Sequence, residues 1–384
     1  MADEDILQAL KAFLDRDYPA ERRRAALQAQ GEDRQLFEEA VEQGWFALVA
    51  PEAEDGLGLH PATLVPMFQL FGQRLVTGPL LEQILLPGLL LRTTCTDGAR
   101  TRLAATLTGR RRVAVLDPGV TLDWRAANGS LTLRSGTLVG SVDLVRFGAV
   151  SDLFVAIIDG APDGAAAVLV IDRAQPGLTV TGHRSTDPGA SYARVVLDGV
   201  AVGPGDIVAR GEDAVALVAA LRSWQRVLVA AELSGIARHV LDLSVGFAKQ
   251  REQFGRPIGG FQAVKHIAAS AAQRVIMLES LVAATAADSA TLPPKSFDLA
   301  ALTLKAAAAE VGRSACEDAL QIHGGIGFTY EHELHWYYKR ALSLRTWYGD
   351  EREAATEVGR RKVCHGMPVS LTDGRHHRSP RKAS

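Results

Sequence analysis

Two stretches of this chain combine residue types that could hold a phosphate-bearing ligand. The first is Arg251-Glu252-Gln253-Phe254-Gly255-Arg256-Pro257-Ile258, with Phe261-Gln262 just behind it. The second is Gln321-Ile322-His323-Gly324-Gly325-Ile326-Gly327-Phe328. Guanidinium is a planar fork that matches phosphate oxygens. An aromatic and a bend beside Arg251 would present that fork. In the second stretch glycines would let backbone amides approach an anion. Each stretch also has a plainer reading. The first could be a turn between helices with a solvated arginine, and the second a glycine helix stop. His323 could act as an acid or base, or serve structurally at the helix end.

Other chemistries lack their residues. Gly119, Gly129, Gly136 and Gly140 do not follow a strand and open a helix, so there is no dinucleotide fingerprint, and there is no Walker-type lysine loop. His332 and His335 stand near Glu331 and Glu333, but no full metal-ligand set follows. Trp336, Tyr337 and Tyr338 before Lys339-Arg340 read as core or subunit contact rather than a nucleic-acid platform. The formal net charge of −2 suggests no bulk attraction to nucleic acid or to an anionic membrane. Cys95, Cys316 and Cys364 are far apart and odd in number, which fits a reducing cytoplasm. The apolar run from Leu80 to Leu91 is broken by Glu82, Gln83 and Pro87, too short and too polar for a membrane span. With 384 residues and 47% hydrophobic content, the chain has ample length for a sizeable core.

The elements around the two stretches follow from apolar spacing. Residues 1–110 read as helical, with Leu7, Leu10 and Leu14 on one face and Leu36, Ala40 and Val41 on another. Residues 111–208 read as short strands. The candidates are Val113 to Leu116, Leu131 to Leu133, Phe154 to Ile158, Ala167 to Ile171 and Ala193 to Leu197. Asn128-Gly129, Pro162-Asp163-Gly164, Pro176-Gly177 and Asp198-Gly199 supply turn signals between them. Short strands without intervening helices predict an antiparallel barrel or sandwich. Residues 209–365 return to helical stripes: Leu217 to Ala231, Val264 to Val282, and a run from a Ser296 N-cap to the His323-Gly324-Gly325 stop. They predict a four-helix bundle. The tail, 366–384, is basic without apolar period and reads as disordered. The expected fold class is thus mainly α with a central β domain.

These motifs, in this element order, resemble the acyl-CoA dehydrogenase flavoprotein family, over roughly residues 5 to 365. The resemblance implies FAD as cofactor, with Arg251, Gln253 and Phe254 at its adenosine and pyrophosphate part and Gln262 nearby. It implies Gln321, Gly324 and Gly325 against the FAD of a neighbouring subunit. The implied reaction is α,β-dehydrogenation of an acyl-CoA, with electrons passed to an electron-transferring flavoprotein or a similar acceptor.

The resemblance fails at the base. Family members carry a glutamate in one of two places, and the matching positions here hold Gln225 and Tyr348. An amide is no base, and a phenol of pKa ~10 is protonated at pH 7. Asp350 and Glu232 are the nearest carboxylates. The flavin- and substrate-binding stretch usual in the middle domain is also absent after Leu116, where the chain reads Asp117-Pro118-Gly119-Val120-Thr121. Some bacterial members that shorten steroid side chains are hetero-oligomers in which one subunit type lacks the glutamate, and this chain resembles that type. The expectation is a cytoplasmic subunit working with a glutamate-bearing partner in steroid or fatty-acid degradation. The rivals are a homo-oligomer with Asp350 as displaced base, a non-catalytic structural subunit, and another flavin reaction on the same scaffold.

Overall fold

The computed structural model describes residues 2–29, 33–119, 128–159 and 166–365. The expected tail and the Pro162-Asp163-Gly164 turn lie outside them. Six helices come first: α1 (Ala2–Asp17), α2 (Ala20–Gln28), α3 (Arg34–Glu42), α4 (Val65–Arg74), α5 (Leu80–Leu90) and α6 (Asp97–Leu107). Asp33 caps α3, its carboxylate accepting the Leu36 N–H at 2.9 Å. Helix α5 is buried on all sides and so carries almost only apolar residues. Its Gln83 satisfies its amide fully. Nε2 donates to the carbonyls of Thr106 (2.7 Å) and Arg111 (3.0 Å), and Oε1 accepts from Val113 N at 3.1 Å.

Among the described residues eight strands follow, in two four-stranded sheets. One holds β1 (Val113–Leu116), β4 (Leu153–Ile158), β5 (Ala167–Asp172) and β8 (Ile207–Arg210), in the order β1-β4-β5-β8. The other holds β2 (Gly129–Arg134), β3 (Thr137–Arg146), β6 (Leu178–His183) and β7 (Tyr192–Ala201), in the order β2-β3-β7-β6. Their facing sides share one apolar core, including Leu116, Phe154, Leu169, Leu138, Val142, Val195 and Leu197. The described strands therefore stack as a sandwich, with no ladder joining the sheets. The back of the first sheet packs into the helical core through Val113, Val155, Ile157 and Val168. That burial on both faces is why β4 reads as an unbroken apolar run.

Three expectations are corrected here. The pair β1–β4 is parallel, so the sheets are not wholly antiparallel. Asp198-Gly199 does not turn the chain. Leu197 pairs with Gly140 and Val200 with Leu138, so Asp198 and Gly199 face Val139 as a bulge, with Gly199 at φ 73°. Helix α9 starts at Pro294 rather than after a Ser296 cap, because proline is pre-set for the first helical turn.

The last region is helical: α7 (Gly211–Gln250), α8 (Gln262–Asp288), α9 (Pro294–His323), α10 (Leu334–Thr346) and α11 (Glu351–His365). By length and composition α7 and α8 could cross a membrane, yet α7 is the bundle's central, largely buried helix. Gly72 of α4 and Gly235 of α7 permit a backbone-to-backbone crossing. A Cβ on either would collide with the carbonyl of Glu232 or Gln69. Arg340 staples the regions together. Its guanidinium meets Asp187 at 2.6 Å, Glu232 at 2.8 Å and the Val76 carbonyl at 3.1 Å, all buried.

Candidate functional site

Helix α7 ends because Arg251 leaves the helical region at φ −73°, ψ 119°, while its N–H still donates to the Phe247 carbonyl at 2.8 Å. A small hairpin follows, β9 (Glu252–Gln253) against β10 (Arg256–Pro257). Its two turn residues, Phe254 and Gly255, both have positive φ, 54° and 77°. That is the conformation a tight two-residue hairpin needs. Glycine adopts it freely, whereas phenylalanine does so at a cost of about 1–2 kcal/mol. Phe254 is also 93% exposed. A strained, solvent-facing aromatic suits contact with something outside the chain. Arg251, Gln253 and Gln262 are exposed as well. Among the described residues the Arg251 side chain takes no acidic partner.

The second stretch ends α9. Gly324, at φ 62°, stops the helix, and the backbone turns through Gly324–Phe328. Gln321, Gly324 and Gly325 are exposed, and nothing packs within 4 Å of where a Cβ would stand on either glycine. The two stretches, far apart in sequence, meet in space. Phe247, one turn before Arg251, stacks on His323 with ring centres 4.4 Å apart and planes 26° apart. His323 also meets the His332 ring at 4.6 Å. Its Nδ1 lies 2.7 Å from the Ala319 carbonyl, and burial holds its pKa below the usual histidine range. This is a packed, neutral imidazole at a helix end. No group of three or more His, Cys, Asp or Glu that could hold a metal occurs among the described residues.

The interior tells a different story. Gln225 is completely buried, and neither end of its amide has a hydrogen-bond partner among the described residues. Tyr348 is buried at φ 60°, and burial pushes its phenol well above its ordinary pKa. Neither residue can take a proton from carbon at neutral pH. Next to Tyr348 lie Glu82 of α5 and Arg146 of β3, both buried, with Nε of the arginine 3.5 Å from Oε1 of the glutamate. Burial raises the pKa of Glu82, against the pull of Arg146. Among the described residues Oε2 of Glu82 and Nε and Nη1 of Arg146 have no hydrogen-bond partner. Together with Val115, Asp117, Leu144, Trp347 and Tyr348 the pair encloses a void with room for about one water molecule. Leu144 and Trp347 also line a cleft outside it, with Tyr192 stacked on Trp347 at 5.6 Å. These two side chains form the wall between cleft and void.

The other carboxylates are engaged. Asp117 is clasped by Arg222 through two hydrogen bonds, 2.6 and 3.0 Å. Glu232 belongs to the Arg340 cluster. Oδ1 of Asp350 accepts the N–H groups of Arg352 (2.9 Å) and Glu353 (2.8 Å), as the N-cap of α11. Buried Lys305 of α9 donates to the carbonyls of Arg345 (2.8 Å) and Gly349 (2.7 Å), bracketing Tyr348. Burial pushes its pKa down to about 7. Sequence reading missed Glu82 and Arg146. Glu82 registered only as a break in an apolar run, and Arg146 closes a strand whose glycine and polar residues hid it.

Residues 216–362 match the family model described as acyl-CoA dehydrogenase, C-terminal domain. Acyl-CoA dehydrogenase IpdE2 of Mycobacterium tuberculosis is 32% identical over 332 residues, 84% of this chain and 85% of that protein. The chain belongs to the acyl-CoA dehydrogenase family. Acyl-CoA dehydrogenase FadE34 of the same organism is 30% identical over 81% of this chain, which spans only 40% of that longer relative. The ChsE4-ChsE5 complex from M. tuberculosis contains a chain of the same fold, with TM-score 0.83 and 24% identity over 96% of this chain and 98% of that one.

Proposed function

We propose that this acyl-CoA dehydrogenase family chain is the base-lacking subunit of a hetero-oligomer that dehydrogenates an acyl-CoA thioester between its α and β carbons. The observation that carries this reading is the closed interior, with no carboxylate at either expected base position. Gln225 and Tyr348 stand where the glutamate is expected, and the Glu82–Arg146 pair fills the adjacent space. An acyl group has no room there. The partner, a second family member, supplies the glutamate and the acyl pocket.

The bundle end fits the phosphate-bearing part of FAD. Arg251 offers an exposed guanidinium without an acidic partner among the described residues, Phe254 an exposed ring, and Gly324 and Gly325 an open backbone. Gln253, Gln262 and Gln321 add exposed amides. When bound, FAD supplies the hydride acceptor. This chain's own residues bind and orient it, and the surface on which they stand is open enough to serve a neighbour's cofactor. Electron-transferring flavoprotein or a similar carrier is the proposed acceptor, steroid-derived or fatty acyl-CoA the proposed substrate class, and the cytoplasm the proposed location. The Asp350 alternative loses ground because that carboxylate is occupied as a helix cap.

Co-expression with a glutamate-bearing homologue tests the reading. Flavin content and dye-coupled acyl-CoA oxidation should appear in the joint assembly and be missing from this chain alone. Full activity of the chain alone would refute it.

A further inference from the structure

The contact between the two flavin-facing loops is a stack of rings, and its hydrogen bonds fix where the protons sit. Phe247 receives the Arg251 N–H on its carbonyl, so its position passes directly to the hairpin. His323 lies between Gln321 and Gly324 and stacks on Phe247. Its Nδ1 faces the Ala319 carbonyl at 2.7 Å and therefore carries the proton of the neutral ring. Its Nε2 is buried without a partner among the described residues. On His332 the roles are reversed. Nδ1 accepts the Leu334 N–H at 3.2 Å, which leaves the proton on Nε2. A second proton on His323 would enter a buried place with no acceptor. One on His332 would face an N–H already pointing at it. Both together would set two cations within the 4.6 Å separating the rings.

We infer that His323 is a positioning residue: with Phe247 and His332 it holds the Arg251 hairpin against the Gln321–Gly325 loop, and only while both imidazoles are neutral. The inference rests on the flavin reading of these loops and deepens it. Burial lowers the pKa of both rings, which keeps them neutral at pH 7. The surrounding charges do little to rescue an imidazolium. Glu333, beside His332, is engaged by Arg23 at 2.8 Å and lies 3.8 Å from His239 of α7. From α10, His335 adds another imidazole with a lowered pKa, and Lys339 over the Tyr330 ring adds positive charge. From α9 the stack receives the Ala319 carbonyl, and from α7 the neutral ring of Phe247.

The test follows flavin retained by the assembly of this chain with its glutamate-bearing partner from about pH 8 to about pH 5. Retention should weaken on the order of tenfold across the acid limb. The double variant His323→Phe, His332→Asn keeps a ring on Phe247 and an acceptor for Leu334, and should retain flavin evenly across that range. If it does not fold, His332→Asn alone should reduce the acid slope from two protons to one. A flat parent profile, or the same acid loss in the double variant, overturns the inference. Amide exchange at Ile258, whose N–H donates to the Arg251 carbonyl at 2.8 Å, gives a readout without flavin. Corrected for its intrinsic pH dependence, it should quicken in acid in the parent and not in the double variant. If it does so while the assembly holds no flavin at neutral pH, the flavin reading fails and the positioning role stands. If the exchange is unchanged, the positioning role fails.

Discussion

The outer end of the bundle and the interior between α5, β3 and the α10–α11 turn are both rich in polar groups, but they spend them differently. At the outer end the polar groups face solvent. Among the described residues Arg251 takes no acidic partner, and Phe254 accepts backbone strain to stand 93% exposed. In the interior the polar groups face one another or nothing, as in Glu82, Arg146 and the orphaned amide of Gln225. A surface that leaves good donors free is prepared for a ligand. An interior that closes on its own charges has no place for one. The buried glutamines show the same contrast in miniature: Gln83 makes three hydrogen bonds to backbone groups, and Gln225 makes none.

Catalysis is where the contrast can be broken most sharply. The chain alone should show no appreciable acyl-CoA-dependent flavin reduction, since base assistance is worth about 10²–10⁴-fold. Tyr348→Glu should restore little of it, because the space beside that position is already filled. Activity of the chain alone that vanishes in Asp350→Asn would transfer the base role to Asp350 and collapse the distinction between the two regions.

The second test addresses the interior. Arg146→Met leaves the Glu82 carboxyl buried without its partner and should destabilise the fold by about 3–5 kcal/mol in urea unfolding. Adding Glu82→Leu should recover most of that loss, as an apolar pair of similar volume is often as stable as a buried ion pair. If both variants are neutral, the pair is not a closed plug and water reaches it freely.

At the outer end, Arg251→Ala should weaken flavin retention by about 1.5–3 kcal/mol without changing the unfolding midpoint. A stability loss in place of a flavin loss would make Arg251 an ordinary structural arginine.

The most gradual effect, spread over several pH units, concerns Lys305 beneath the turn that carries Tyr348. Its folded pKa of about 7 lies below its unfolded value of 10.5. Between those values the unfolded chain binds a proton that the folded chain refuses. Its contribution to stability therefore falls as pH drops from about 10.5 toward about 7 and is constant below that. The slope is at most about 1.4 kcal/mol per pH unit. Lys305→Met should flatten it in unfolding curves measured across that interval.

Much of the architecture was legible in the residues because its signals are local. Apolar period marks α1, α3, α7 and α9, and apolar runs mark β1, β4 and β5, since burial on one or both faces dictates which residues a short segment can hold. The glycines that end α9 and turn the hairpin were legible for the same reason, as positive φ is a property of single residues. Strands β3 and β6 were not legible. Their exposed residues and internal glycines dilute the pattern, and they are strands because β7 pairs with both. The sequence by itself therefore determined the helix–strand–helix order of regions, the two motifs at the bundle end and the absence of a carboxylate at Gln225 and Tyr348. Only the tertiary structure decided that the two motifs meet through Phe247 and His323, that Asp350 is spent as a helix cap, and that Glu82 and Arg146 close the interior. Those are pairings between distant segments, set by burial and charge in the folded chain, and no local pattern encodes them.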